Sequence, residues 1–273
     1  MSRDQILFAL QLSFTVAVCA FLVVPVLLSI MAGLTTNYLI GLKSGLTLRW
    51  IVEVWQGYRA TIFLSTGLAL ACLAITLLLG VPAAYVLART RTTFGRVIEE
   101  LLILPVAVPG LATALALIVT YGTLSGFRTS AAFILVGHVL FTLPFMVRSV
   151  LAVLSVIDLK TLEEGAASLG AGFCRRFRDI VLPNCRNGIL AGSLMVVTLS
   201  MGEFNMTWLL HTPFTKTLPV GLADAYASLR LEVGSAYTLI FFLMITPLLL
   251  AMQAFAQRRP QRIGTGRSNG ERT

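Results

Sequence analysis

Six long apolar segments dominate the chain and constrain its fold more than any other feature. They lie at about 6–32, 60–88, 97–121, 130–153, 188–210 and 235–256. An α-helix needs about 20 apolar residues to cross the hydrocarbon core of a bilayer, and each segment reaches that length. The sequence therefore predicts an all-α, polytopic membrane protein with six transmembrane helices.

The composition leaves too little charge for a water-facing surface. Only 12% of the 273 residues are charged and 57% are hydrophobic, whereas a soluble domain has about 25% charged residues. This excludes a soluble globular enzyme. A membrane-embedded enzyme would need His, Asp, Glu or Cys residues clustered at membrane depth, and two histidines and four cysteines without metal-ligand spacing do not supply that cluster. We expect no catalytic residue, no metal and no cofactor bound by this chain.

The basic residues lie mainly on one side of the predicted membrane. With both termini in the cytosol, the inner side collects 15 Lys and Arg residues and the outer side 6. Loops on the cytosolic side of membrane proteins carry such an excess, so we predict cytosolic termini. The net charge of +9 is interpreted as a mark of topology and of contact with anionic lipid, not of nucleic-acid binding.

The chain divides into three parts. Residues 1–59 hold the first transmembrane helix and an external amphipathic segment, where Trp50 and Trp55 are typical of an interfacial aromatic belt. Residues 60–256 form a core of five transmembrane helices with a polar cytosolic loop at about 154–187, and residues 257–273 form a basic cytosolic tail.

Two prolines four residues apart interrupt the third apolar segment. Pro105 and Pro109 each remove a backbone donor, which breaks or kinks a helix. In lipid, the freed carbonyl groups must face protein or a water-filled cavity. Two interpretations stay open: a bent helix that lines a pore, or a kink with a packing role only.

The longest polar loop predicts a pair of short helices. Good helix formers fill Lys160–Leu169, Gly170 and Gly172 supply a turn where φ can be positive, and a second helix covers Phe173–Val181 until Pro183 ends it. We call this hairpin the knob. It is expected to project into the cytosol with an apolar face available for docking, and the alternative is an amphipathic hairpin lying on the inner leaflet.

The knob carries a motif of fixed spacing. Its positions are, in order, Glu164, Gly165, Ala166, Gly170, Ile180, Leu182 and Pro183. This resembles the EAA loop of binding-protein-dependent ABC importer permeases, whose pattern is Glu-Ala-Ala, three residues, Gly, nine residues, Ile, any residue and Leu-Pro. The spacing agrees at every point, and the departure is Gly165 in place of alanine. A helical glycine loosens the first knob helix by about 1 kcal/mol.

The resemblance implies what the knob does. It implies that these seven residues couple transport to ATP hydrolysis on a separate subunit, with Glu164 meeting basic residues of that subunit and Gly170 allowing the sharp turn. It also implies two ATPase subunits that bind the ATP, a second permease subunit, identical or paralogous, a solute-binding protein, and a bacterial inner membrane. The chain lacks the Gly-x-x-x-x-Gly-Lys-Ser/Thr pattern of an ATP site of its own.

Two ionisable residues stand out in the interior of the apolar segments, where their burial is unfavourable and marks candidate functional sites. Glu203 lies in the fifth segment, close to Asn205, and His138 lies in the fourth. Either Glu203 and Asn205 line the substrate pathway, or Glu203 belongs to a buried structural pair with His138 or an arginine. For His138 we favour a packed, hydrogen-bonded role, while it stays a candidate pathway residue.

A secondary transporter or channel that works without an ATPase is the alternative function. Such proteins often carry several intramembrane charges or inverted repeats, and neither is evident here. The stretch around Glu203 and the outer loop after it resemble the subgroup of importers for polyamines, phosphonates, sulfate-type oxyanions or ferric ion. Because a single carboxylate suits a cationic group, we favour a polyamine or amino-phosphonate type of solute.

Overall fold

The computed structural model describes residues 3–90 and 92–257, which are helical almost throughout. The predicted basic tail after residue 257 lies outside the described residues. The described helices are α1 (Arg3–Ala32), α2 (Arg49–Thr90), α3 (Thr93–Leu101), α4 (Leu104–Ala107), α5 (Gly110–Tyr121), α6 (Ser125–Arg128), α7 (Ala131–Leu154), α8 (Leu159–Ser168), α9 (Phe173–Arg176), α10 (Leu182–Gly202), α11 (Asn205–Leu210), α12 (Leu218–Ala227) and α13 (Leu231–Gln257). A 3₁₀ turn covers Gly41–Ser44, and a π-helical turn covers Phe177–Val181.

Five helical segments in the described part of the chain are long and apolar enough to cross a membrane. They are Arg3–Ala32, Arg49–Thr90, Ala131–Leu154, Phe173–Gly202 and Leu231–Ala254. The helix pair Gly95–Ala107 and Gly110–Tyr121, whose two parts meet at an angle of 98°, makes a sixth if it is counted as one broken span. The predicted all-α, polytopic architecture is confirmed with five to six candidate spans, and the third predicted span is broken at its prolines.

Helices α2, α7 and α10 form the centre of the protein. Glycines let them approach closely, as is common between membrane helices. A Cβ atom on Gly188 would lie 2.4 Å from the carbonyl oxygen of Ser149, and one on Gly192 would lie 2.8 Å from the sulfur of Met146. The glycines of α10 thus serve packing against α7 within this chain.

The amphipathic segment predicted to lie outside leads directly into the second span. Helix α2 begins at Arg49 and is interrupted at Tyr58, where φ is −132° and ψ is 15°. Trp50 donates to the carbonyl oxygen of Thr35 over 2.9 Å, and Val54 is buried against α12 and α13. The segment therefore packs against the core beside α12 and α13, with Trp55 left exposed.

Pro183 does not end the second knob helix, so that prediction is wrong. The π-helical turn joins α9 to α10, and the helical run continues from Phe173 to Gly202. Pro183 occupies the first turn of α10, where a missing amide hydrogen is tolerated. The side-chain amide of Asn184 donates to the carbonyl oxygen of Ile180 over 2.8 Å. This gives the Ile180 carbonyl group a donor in the turn next to the proline. The knob is thus continuous with a spanning helix.

Candidate coupling knob and intramembrane polar site

Local sequence signals define both ends of the first knob helix. The Asp158 carboxylate caps α8 by accepting from the amide of Thr161 over 3.3 Å. At the other end, the amide of Ala171 donates to the carbonyl oxygen of Ala166 and the amide of Gly170 to that of Ala167, a Schellman turn. Gly170 has a φ of +81°, as predicted, whereas Gly172 has a φ of −68° and needs no glycine for its backbone angle.

Gly165 lies in α8 with open space around it, because no atom of the described residues outside its chain neighbours and the backbone of its own helix lies within 4 Å of the position that a Cβ atom would take. The substitution Gly165→Ala is therefore expected to stabilise the helix by about 0.5–1 kcal/mol through a smaller loss of backbone entropy. The midpoint of thermal unfolding of the detergent-purified protein should rise. Gly170→Ala is the matched control, since its positive φ makes the same change unfavourable by about 1–2 kcal/mol. A lower midpoint for Gly165→Ala would contradict this account.

The motif residues of the knob differ in exposure. The Glu164 side chain is 67% exposed and lies 3.8 Å from the ammonium of Lys160 on the same helix face. Leu169, at the tip, is 88% exposed. Ala166, Ile180 and Leu182 are half-buried, while Gly165 and Pro183 are exposed. The knob therefore presents the Glu164 carboxylate and the apolar side chain of Leu169 close to the turn.

The predicted apolar docking face of the second knob helix is in part wrong. Val181 is fully buried, and Phe177 packs against the same core cluster of α2, α7 and α10. Phe173 stays 54% exposed. Phe177 and Val181 thus attach the knob to its own spanning helices.

Glu163, which the sequence analysis did not single out, is the buried carboxylate of the knob. Its side chain is 3% exposed, and it shares the inner face of α8 with buried Leu159, four residues earlier. The hydroxyl of Tyr85 donates to it over 2.6 Å. The spacing of Leu159 and Glu163 is a signal for a shared helix face, although the sequence does not reveal what that face contacts.

Pro105 and Pro109 interrupt the third span as predicted. Pro105 lies in the first turn of the short helix α4, and Pro109 precedes α5 with extended backbone (ψ 136°). Val108 between them is also extended, which produces the 98° bend. Gly110, the first residue of α5, lies beside Glu203 and Asn205. A Cβ atom on Gly110 would lie 3.6 Å from both Glu203 Oε1 and the Cβ of Asn205.

The fifth predicted span also breaks, at Glu203 and Phe204. Glu203 has extended backbone (ψ 116°) after α10, and its side chain caps the short helix α11. Its Oε1 accepts from the amide of Met206 over 2.8 Å, and its Oε2 accepts from the amide and the hydroxyl of Thr207 over 2.8 and 2.7 Å. The carboxylate therefore replaces the backbone acceptors that an unbroken helix would supply.

His138 is packed and hydrogen-bonded, with 1% of its side chain exposed. Its Nδ1 lies 2.8 Å from the hydroxyl of Ser200, and its Nε2 lies 2.8 Å from the hydroxyl of Thr207. Because the Thr207 hydroxyl donates to Glu203, a neutral imidazole with its hydrogen on Nε2 satisfies every group in turn. Nε2 is also 3.9 Å from Glu203 Oε2, so of the open alternatives the structure has Glu203 beside His138.

The geometry weakens the argument for a cationic solute. The Glu203 side chain is only 9% exposed, and both of its oxygens already accept hydrogen bonds from α11. Asn205, by contrast, is exposed at the start of α11. Of the three candidate pathway residues, the amide of Asn205 is thus the group with room to contact a solute.

Comparison with known proteins places these features in a wider context. Residues 78–261 match the family described as binding-protein-dependent transport system inner membrane component. The chain is 26% identical over 217 residues to the sulfate transport system permease protein CysW of Synechocystis sp., with 74% of this chain and 78% of that protein covered. It is also 26% identical over 217 residues to the molybdenum transport system permease protein ModB of Mycobacterium tuberculosis, with 74% and 81% covered.

A solved structure has a similar fold. It is the crystal structure of a bacterial ABC transporter involved in the import of the acidic polysaccharide alginate. The TM-score is 0.72 at 17% sequence identity, and the alignment covers 95% of this chain and 97% of that chain. At this identity the likeness concerns the fold alone.

Proposed function

The chain belongs to the family of binding-protein-dependent transport system inner membrane components, and we propose that its knob is the surface on which an ATPase subunit docks. The chain is a transmembrane permease of the ABC importer type. One observation supports the docking proposal above all. The motif residues form a hairpin with an exposed turn, and the second helix of that hairpin continues into a membrane span. A displacement of the turn is thereby carried into the membrane.

The proposed complex contains two ATPase subunits, a second permease subunit, identical or paralogous, and a solute-binding protein. ATP binds to the ATPase subunits, and this chain binds none. Both termini and the knob lie in the cytosol of a bacterial cell, with the segment of Thr35–Ser44 and α12 on the outer side. The distribution of basic residues supports this orientation.

The proposed substrate pathway runs past the two helix breaks. Non-helical backbone at membrane depth is tolerated where it is buried in protein or lines a cavity. The break at Pro105 and Pro109 lies against the break at Glu203, because Gly110, directly after Pro109, faces Glu203 and Asn205. We assign a positioning role to Glu203 and His138, which hold α11 in place, and solute contact to Asn205.

A small oxyanion is the solute class that we propose. The support is twofold: the relatives include permeases named for sulfate and molybdenum transport, and the Glu203 carboxylate is occupied as a helix cap. Affinity of the partner solute-binding protein tests this class. Calorimetric binding of sulfate or molybdate, with none of spermidine, is expected, and the reverse pattern would restore the polyamine assignment.

The docking proposal is tested by purification of the protein through a tag on this chain from native membranes. Native mass spectrometry of the purified complex should detect two ATPase subunits for each pair of permease subunits. A chain that purifies alone, folded and in mild detergent, would contradict the proposed function.

A further inference from the structure

The buried carboxylate of the knob joins it to a different membrane span. Glu163 on α8 accepts a hydrogen bond from the hydroxyl of Tyr85 on α2 at 2.6 Å. Arg89, one helical turn further along α2, places its Nε 3.6 Å from Glu163 and donates from Nη1 to the Tyr85 hydroxyl over 3.1 Å. These three side chains form a closed triad between the knob and the end of α2.

Tyr85 also contacts the second knob helix. Its ring meets the ring of Phe177 edge-on, with 5.4 Å between centroids, and lies 6.2 Å from that of Phe173. Tyr85 itself is 4% exposed and belongs to the central core. The Tyr85 side chain of α2 therefore contacts both helices of the knob.

The hydrogen bonds of the triad fix the position of the knob relative to the end of α2 more strictly than apolar contacts would. A hydrogen bond to an ionised carboxylate is short and strong, and it weakens steeply when distance or angle departs from the optimum. A purely apolar contact would let the knob slide over α2. A buried carboxylate that loses its donors is strongly unfavourable, so the knob and the end of α2 are favoured to move together.

We propose that Tyr85 and Glu163 are positioning residues that transmit movement of the knob to α2, with Arg89 as a supporting cation. This inference rests on the proposed function, because it assumes that an ATPase moves the knob. The residue proposed to contact the ATPase and the residue proposed to transmit the movement are then neighbours in the chain. Exposed Glu164 faces outward, and buried Glu163 faces α2. Arg89, half exposed, is expected to contribute less because water screens its charge.

The test uses the complete complex in proteoliposomes. Tyr85→Phe removes the hydroxyl and keeps the ring, and Glu163→Gln keeps the size and one acceptor of Glu163. For both variants we expect unchanged co-purification of the ATPase and a fall of about tenfold in solute taken up per ATP hydrolysed, within the usual range of coupling between sites. Both changes weaken the same Tyr85–Glu163 bond, the first by removing its donor and the second by removing the charge of its acceptor. The double variant should therefore be less impaired than the product of the two single effects predicts.

Tyr121→Phe is the matched control, since it makes the same chemical change on an exposed tyrosine of α5, and its uptake per ATP should equal that of the wild type. An unchanged ratio of uptake to hydrolysis in both test variants would overturn the inference, as would effects that multiply in the double variant. Glu163→Gln decides alone if Tyr85→Phe does not fold. If the wild-type chain purifies without an ATPase subunit, the proposed function itself is refuted. That result is obtained before any variant is made, so the two failures are distinguishable.

Discussion

A chain that lacks Glu164–Gly170 is expected to enter the membrane and to lose its ATPase subunits. The deletion removes the exposed carboxylate, the tip residue Leu169 and the turn at Gly170, whose φ of +81° shapes the hairpin. It leaves α10 and its packing against α2 and α7 in place, because Val181 and Cys185 are buried in that core. Co-purification of the ATPase through a tag on the deleted chain should fall below detection.

The control for this deletion is the substitution Gly165→Ala, which keeps the knob and fills open space on its surface. It should retain the ATPase fully. Membrane extraction followed by size-exclusion chromatography distinguishes a folded deleted chain from an aggregate. If the chain with the deletion is folded and still recovers the ATPase undiminished, the permease and the ATPase bind each other at a surface other than the knob.

Replacement of Glu203 by alanine is expected to destabilise the protein by about 3 kcal/mol or more. Three donors of α11, the amides of Met206 and Thr207 and the hydroxyl of Thr207, lose their acceptor. Each buried donor left without a partner is unfavourable by about 1–3 kcal/mol. The concentration of denaturant at the midpoint of unfolding, measured in detergent micelles, should fall markedly.

Asn205→Ala is the matched control two residues away. Asn205 is exposed, so its substitution should change the stability by less than about 0.5 kcal/mol, while solute uptake should fall if its amide contacts the solute. A Glu203→Ala variant of unchanged stability that no longer transports would assign Glu203 to solute binding and contradict its role as a helix cap.

Much of the architecture follows from the sequence because lipid imposes strict lengths on apolar segments. The break in the third span was predictable as well, since Pro105 and Pro109 each remove a backbone donor. Gly170 was predictable for a similar local reason, because a turn with positive φ after a short helix favours glycine. Each of these features depends on residues close together in the chain.

The features that sequence analysis missed depend on distant contacts. Glu163 and Glu164 are identical neighbours, and only the packing of α8 on α2 buries the first and exposes the second. Pro183 normally signals the end of a helix, yet a π-helical turn accommodates it here. The break at Glu203 carries no proline; the carboxylate itself stabilises it by capping α11.

The most direct test of the account is solute uptake by proteoliposomes that hold the complex purified through this chain, with the solute-binding protein outside and ATP inside. Accumulation against a gradient is predicted when the ATPase subunits are present, and none is predicted after their removal by washing with a chaotrope that leaves the permease in the bilayer. Accumulation by the permease alone, without any nucleotide hydrolase, would contradict the central claim that the knob receives its motion from a separate ATPase.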